Sequence, residues 1–263
     1  MKKYLYIYKS EIMTNLQYIT DVFISFIAFT LLIFIFLNLW NYIYSDPNEI
    51  INGYSKTQMI WYVIITEIMW MSLSGNSLSR KISNDVRSGN IAYNLNKPYN
   101  YIEYSLFSHL GLVTMRYIII GLLGLILGFL FLKTIPNITL LQIPLILLCS
   151  ILGMIINIIL IILISLLSFY IEDAHPFYWL YSKVIIIVGL LFPIEFFPLF
   201  LQPIIKFSPI YVICYGPAKL FVNFNYMEFI NVIIAQCIYL ILSILFCHII
   251  YRKGVRKLNV NGG

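Results

Sequence analysis

A chain of 263 residues that is 61% apolar and only 11% charged, with a mean hydropathy of +0.89, carries too much apolar side chain to hide in water, where a domain is nearer half apolar and a quarter charged. At about 20 residues per helical crossing, the length admits six spans with short loops and excludes a large soluble domain. The net charge of +6 lies between apolar segments, so it reads as membrane topology and anionic-lipid contact rather than nucleic-acid binding.

The fold expected is all-α and integral to the membrane, as one transmembrane domain over 1–263. Residues 1–18 form a helix with Leu5, Tyr8, Ile12 and Leu16 on one face. It is either a solvated lead-in or a helix lying in the headgroup plane. The segment lacks the apolar core and cleavage site of a signal peptide, so it is expected to be retained. The first span runs from about Asp21 to Tyr44 and the second from about Lys56 to Ser79, joined by a polar turn with Pro47 and Gly53. The third covers 110–132 and the fourth 139–170. EDAHPFYW is then a polar turn, the fifth span starts near Lys183, and the sixth runs from about Tyr226 to Tyr251 before a basic tail.

Lysine and arginine set the orientation. With the N-terminus inside, thirteen of the 17 fall on the inner side, including Arg80, Lys81, Arg87 and Lys97, with Arg116 snorkelling towards it. Lys56, Lys133, Lys206 and Lys219 remain outside. Both termini are therefore expected in the cytoplasm.

Two segments depart from the regular pattern. Between 193 and 217 lie Pro193, Pro198, Pro203, Pro209 and Pro217, too dense for one helix because each removes a donor and clashes with the preceding turn. Since irregular backbone at membrane depth must be satisfied by protein or water, the expectation over 193–225 is an early end to the fifth span and short re-entrant helices at the outer face. A kinked helix with an external loop is the alternative. The other segment is the polar loop 80–104. Ile82 and Val86 share one helical face, Gly89 breaks the run, Ile91 and Leu95 repeat the spacing, and Pro98 ends it. Two amphipathic pieces this short need a surface to pack on, either the membrane or a groove in a partner.

Signatures of soluble chemistry are missing from the sequence. It has no GxxxxGK[ST], no HExxH and no GxSxG. The four cysteines form no CxxC pair and suggest neither a disulfide framework nor a metal site, so no catalytic residue and no metal ligand is assigned. Glu67 lies mid-span, where a charge costs a few kcal/mol unless it faces protein or a wet cavity; it contacts substrate, gates a helix, or is a buried structural group. Asn157 reads as interhelical glue or a substrate contact. Glu195, with Pro193 and Pro198, lines an exit path or meets headgroups. Gly121, Gly124 and Gly128 permit close helix packing.

The stretch Ile82-S-N-D-V-R-S-G-N-I-A-Y-N-L-N-K-Pro98 resembles the element between the second and third spans of ABC-2 transporter permeases. There an arginine, a glycine two residues on, an aliphatic residue, a leucine and a closing proline recur. Gly189–Pro198 and Phe207–Pro217 resemble that family's proline-bearing outer region. The resemblance implies six spans, cytoplasmic termini and an exporter mechanism. In it the 80–104 loop would include a coupling helix seated in a separate ATP-binding subunit, through Ile82, Asp85, Val86, Arg87, Gly89, Ile91, Tyr93 and Leu95. It implies two ATPase subunits that hold ATP and magnesium, and a second permease, identical or homologous; the pattern around Arg87–Leu95 looks closest to permeases that pair as heterodimers. The chain itself would bind no cofactor.

Drug, peptide, lipid and glycan all fit an amphiphilic cargo, and heavy use of Ile, Asn, Tyr and Lys points to an AT-rich bacterial genome and a cell-membrane location. Two other readings stand beside it. One is a lipid-modifying membrane enzyme, for which Glu172, Asp173 and His175 are the acid–base candidates. The other is a channel or secondary transporter, which should show matched broken helices in both halves.

Overall fold

A computed structural model describes residues 2–15, 19–46 and 48–261; Leu16 and Pro47 lie outside the described residues. The elements are α1 (Lys2–Asn15), α2 (Ile19–Ile43), a hairpin of β1 (Ile50–Ile51) and β2 (Tyr54–Ser55), α3 (Lys56–Leu73), α4 (Gly75–Arg87), α5 (Asn90–Leu95), α6 (Tyr101–Leu132), α7 (Ile143–Ser165), α8 (His175–Ile185), α9 (Gln202–Lys206), α10 (Gly216–Val222) and α11 (Tyr226–Asn261). The chain is all-α apart from the hairpin. Its turn uses Asn52 and Gly53, both at positive φ, the residue pair such a two-residue turn favours.

Among the described residues four helices are long and apolar enough to cross a membrane: Phe23–Ile43, Tyr101–Leu132, Ile143–Phe169 and Tyr226–Lys257. They match the expected first, third, fourth and sixth spans. The other two segments differ from expectation because both are broken. The second does not run to Ser79: α3 stops at Leu73, Ser74 adopts φ 45° and ψ 36°, and α4 leaves in a new direction. The fifth does not start near Lys183. Pro176 lies in the first turn of α8, where its missing N–H costs nothing, so the helix already begins at His175 and the polar turn ends at Ala174. The third helix likewise starts earlier than expected, at Tyr101, because the Asn100 side chain caps it by accepting from the N–H groups of Ile102 and Glu103 at 2.9 and 3.4 Å.

Helix α3 is the hub. Residues 59–69 are all buried, and α3 packs against α2, α6 and α10. Its N-terminus is fixed by a reciprocal cap between Ser55 and Gln58. Small residues let α6 approach it. A Cβ on Gly128 would meet the Trp61 ring at 2.5 Å, and one on Gly124 would meet Ile68 at 2.7 Å. Gly121 has only ordinary contact at 3.7 Å, so two of the three expected glycines set the approach.

Helix α1 lies along the start of α6. Tyr4 stacks on Phe107 with ring centroids 5.5 Å apart, the Tyr8 hydroxyl donates to Thr114 at 3.1 Å, and Ser108 donates to Glu11 at 2.7 Å. The packed face therefore runs through Tyr4, Tyr8 and Glu11, not through Leu5, which is 58% exposed. The aromatic and polar groups win because α6 offers them partners.

Candidate functional site

Three places combine irregular backbone with polar chemistry. The first is the 80–104 loop. Leu78, Ser79, Ile82, Ser83 and Val86 recur three to four residues apart and are buried, so the apolar face of α4 seats on α7 and α8. Ile91 is fully buried as well, and the Asp85 carboxylate accepts from the Tyr101 hydroxyl at 2.7 Å. The expected contact set narrows accordingly. Ile82, Val86 and Ile91 are consumed within the chain, because an amphipathic helix this short takes the nearest apolar surface. Arg87, Gly89 and Tyr93 remain outward, Tyr93 at 69% exposure, and Leu95 is half-buried. Gly89 has φ +77° and open space where a Cβ would lie, so the turn, not crowding, calls for glycine. Lys97 Nζ sits 4.5 Å from the centroid of the Tyr93 ring.

The second place is the break between α3 and α4 at Ser74, which nothing in the local sequence announced. The Leu73 carbonyl receives the His109 Nε2 at 2.6 Å; a carbonyl only accepts, so Nε2 carries the proton. Arg116 donates to the Ser74 hydroxyl. Two residues of α6 thus hold the groups exposed by the break. Beside it opens a cavity of about 660 Å³ between α2, α3, α7 and α8, reached by Glu67, Ser74, Asn76 and Arg116. Glu67 is 4% exposed, and among the described residues its carboxylate has no hydrogen-bond or ion-pair partner. The signal that would have found this pair of α6 residues is a histidine and an arginine two turns apart on one long helix.

The third place is the proline-rich stretch. A helical segment with widened turns over Ile186–Leu190 ends α8, a short 3-10 turn spans Ile194–Phe196, α9 follows, and another widened turn over Tyr211–Tyr215 leads into α10. The freed backbone groups are met by side chains from elsewhere in the protein. Tyr62 donates to the Gly189 carbonyl at 2.8 Å and Thr66 to the Leu190 carbonyl at 3.2 Å. Gln236 donates to the carbonyls of Cys149 and Val212 at 2.8 and 2.9 Å.

Pro193 is buried and Pro198 exposed. Between them Glu195 closes a polar knot. Its carboxylate accepts from Tyr54 at 3.0 Å, from Tyr215 at 2.7 Å and from Lys219 Nζ at 3.0 Å. Lys219 also donates to the Tyr54 hydroxyl at 2.7 Å. Burial alone would raise the Glu195 pKa, but the Tyr215 hydrogen bond and the Lys219 charge outweigh it and hold the carboxyl below its ordinary 4.5. The residues that tie Glu195 come from three separate elements, which is why sequence alone did not assemble them.

Two weaker candidates resolve simply. The Tyr181 hydroxyl donates to Asn157 Oδ1 at 2.9 Å, joining α8 to α7. Glu172 and Asp173 are exposed, and Asp173 accepts from the His175 backbone N–H at 2.9 Å as a turn residue does. Among the described residues no three His, Cys, Asp or Glu side chains converge on a metal position.

Residues 26–262 match the family described as ABC-2 family transporter protein. No curated protein matches the chain.

Proposed function

The chain belongs to the ABC-2 transporter family, and from that premise we propose that it is the permease subunit of an ATP-driven exporter, paired with a separate ATPase. The family and the apolar helices make it a multi-pass membrane protein and a transport subunit rather than an enzyme. The proposed complex holds two ATPase subunits, which bind ATP and magnesium, and two permeases, this chain with an identical or homologous copy, in a bacterial cell membrane. The chain crosses the bilayer six times with both termini in the cytoplasm, the broken second and fifth segments crossing beside the four long helices, and the chain over 193–225 re-enters from the outer face. Cargo is an amphiphile that leaves the cytoplasm.

One observation carries the coupling role: α4 is seated on α7 and α8 by a buried apolar face while the turn that follows it points Arg87, Gly89 and Tyr93 outward. A lever needs both properties. Its body must be rigid against the spans, and its tip must be free to meet a partner. ATP-driven closure of the ATPase pair would push on the tip, and α4 would pass the displacement to α7, α8 and the break at Ser74.

The test is affinity purification in mild detergent from the native host, followed by ATPase measurements on the reconstituted complex. A stoichiometric P-loop ATPase is expected to co-elute with wild type. Tyr93→Ala and Arg87→Glu are expected to lower substrate-stimulated ATPase activity several-fold while the purified chain keeps its thermal transition. Retained coupling in both variants removes the loop from the ATPase interface, and a chain that elutes without an ATPase across several detergents removes the permease reading itself.

A further inference from the structure

Glu67 presents a chemical problem that the packing does not solve. It is 4% exposed, yet among the described residues it has no hydrogen-bond or ion-pair partner. A buried carboxylate without a partner is expensive. It lines a cavity of about 660 Å³, within the range of about 300–1,000 Å³ typical of small-molecule sites. Much of the lining is apolar and partly aromatic: Leu32, Phe36, Trp70, Ile186 and Leu191.

The other ionisable side chain lining the cavity is Arg116. It is already engaged, donating to Ser74 at the break. Ser74 lies seven residues beyond Glu67, about 10 Å along α3 at 1.5 Å per residue. Glu67 and the Arg116–Ser74 contact therefore sit at different heights along the cavity.

We propose that this cavity is a binding site for a lipophilic organic cation, whose charge the Glu67 carboxylate neutralises and whose body lies against Phe36 and Trp70. Aromatic faces add attraction to a cation beyond simple burial. The proposal names the cargo class of the permease and so rests on that reading, but binding is measured without ATP and without transport.

The probes are tetraphenylphosphonium and tetraphenylborate, which share a shape and differ in the sign of their charge. Each is labelled and titrated against the purified chain in lipid nanodiscs, with empty nanodiscs subtracted. Wild type is expected to bind the phosphonium and to prefer it to the borate. Glu67→Gln should weaken phosphonium binding roughly tenfold or more and leave the borate unaffected. Glu67→Asp should keep the preference for the cation. Leu32→Trp, which adds bulk to the cavity lining, should abolish phosphonium binding. Should Glu67→Gln fail to fold, the last two variants carry the comparison. Equal phosphonium affinity in wild type and Glu67→Gln, or tighter binding of the borate, overturns the proposal. An ATPase that co-elutes with a chain whose phosphonium binding ignores Glu67 sinks this inference alone; Glu67-dependent binding in a chain that brings down no ATPase sinks the permease reading alone.

Discussion

Two carboxylates, Glu67 inside α3 and Glu195 in the proline-rich stretch, have opposite surroundings. Glu195 is closed in by Tyr54, Tyr215 and Lys219. Its folded pKa is depressed below the ordinary 4.5. The stabilisation it brings is therefore present above that value and is lost as the pH falls through the lower folded value. Replacing Lys219 by Met removes the cation and leaves burial, the largest single influence on this carboxyl, opposed only by hydrogen bonds. The depression of the pKa then shrinks, and with it the stability that acidification removes. Thermal transitions of the detergent-solubilised protein between pH 6 and pH 3 should fall more with acidity in wild type than in Lys219→Met. Parallel pH profiles in the two proteins would show that the ion pair does not set this carboxyl's ionisation.

Elements were legible in the sequence wherever one physical rule governed a long run. The four uninterrupted spans follow from apolar length, and the break at Gly89 follows from the need for φ > 0. The break in the second span was not legible, because Ser74 has no intrinsic preference for its left-handed conformation; the stabilisation comes from His109 and Arg116 across on α6. The same holds for the Glu195 knot, whose partners are up to 165 residues apart in sequence, and for the widened turns that Tyr62, Thr66 and Gln236 satisfy. Local propensity cannot report such long-range partners. The contribution of α6 to the break is measurable. His109→Phe keeps a flat aromatic ring, somewhat larger, but removes the donor from the buried Leu73 carbonyl, which should cost about 1–3 kcal/mol. An SDS-titration midpoint unchanged in His109→Phe would mean that the carbonyl finds another donor and that the break stands without α6.

At the scale of the whole molecule the open quantity is how many times the chain crosses. If only the four long helices crossed, residues 44–100 would all lie on one side, and Asn52 and Asn90 with them. The chain's own contacts argue otherwise. Lys3 donates to the Pro98 carbonyl, and Tyr101 stacks on Tyr251 with centroids 6.3 Å apart, so the end of the 80–104 loop shares a level with both terminal helices. At the opposite end Trp61 Nε1 donates to the Thr134 carbonyl at 3.0 Å, which sets the start of α3 level with the turn after α6. Helix α3, 18 residues long, rises about 27 Å at 1.5 Å per residue, close to the hydrocarbon thickness of about 30 Å. It therefore has the length to join the two levels although it breaks at Ser74. Single cysteines at exposed positions test this in a Cys237→Ala background, since Cys149, Cys214 and Cys247 are buried. A membrane-impermeant maleimide should label Asn52→Cys in intact cells and Asn90→Cys only after permeabilisation. Asp173→Cys and Asn223→Cys should split in the same way across the broken fifth segment, the first protected and the second labelled. Labelling of Asn52→Cys and Asn90→Cys from the same side would take α3 out of the membrane-crossing set. The 80–104 loop would then lie on the far side from the termini, beyond the reach of any cytoplasmic ATPase.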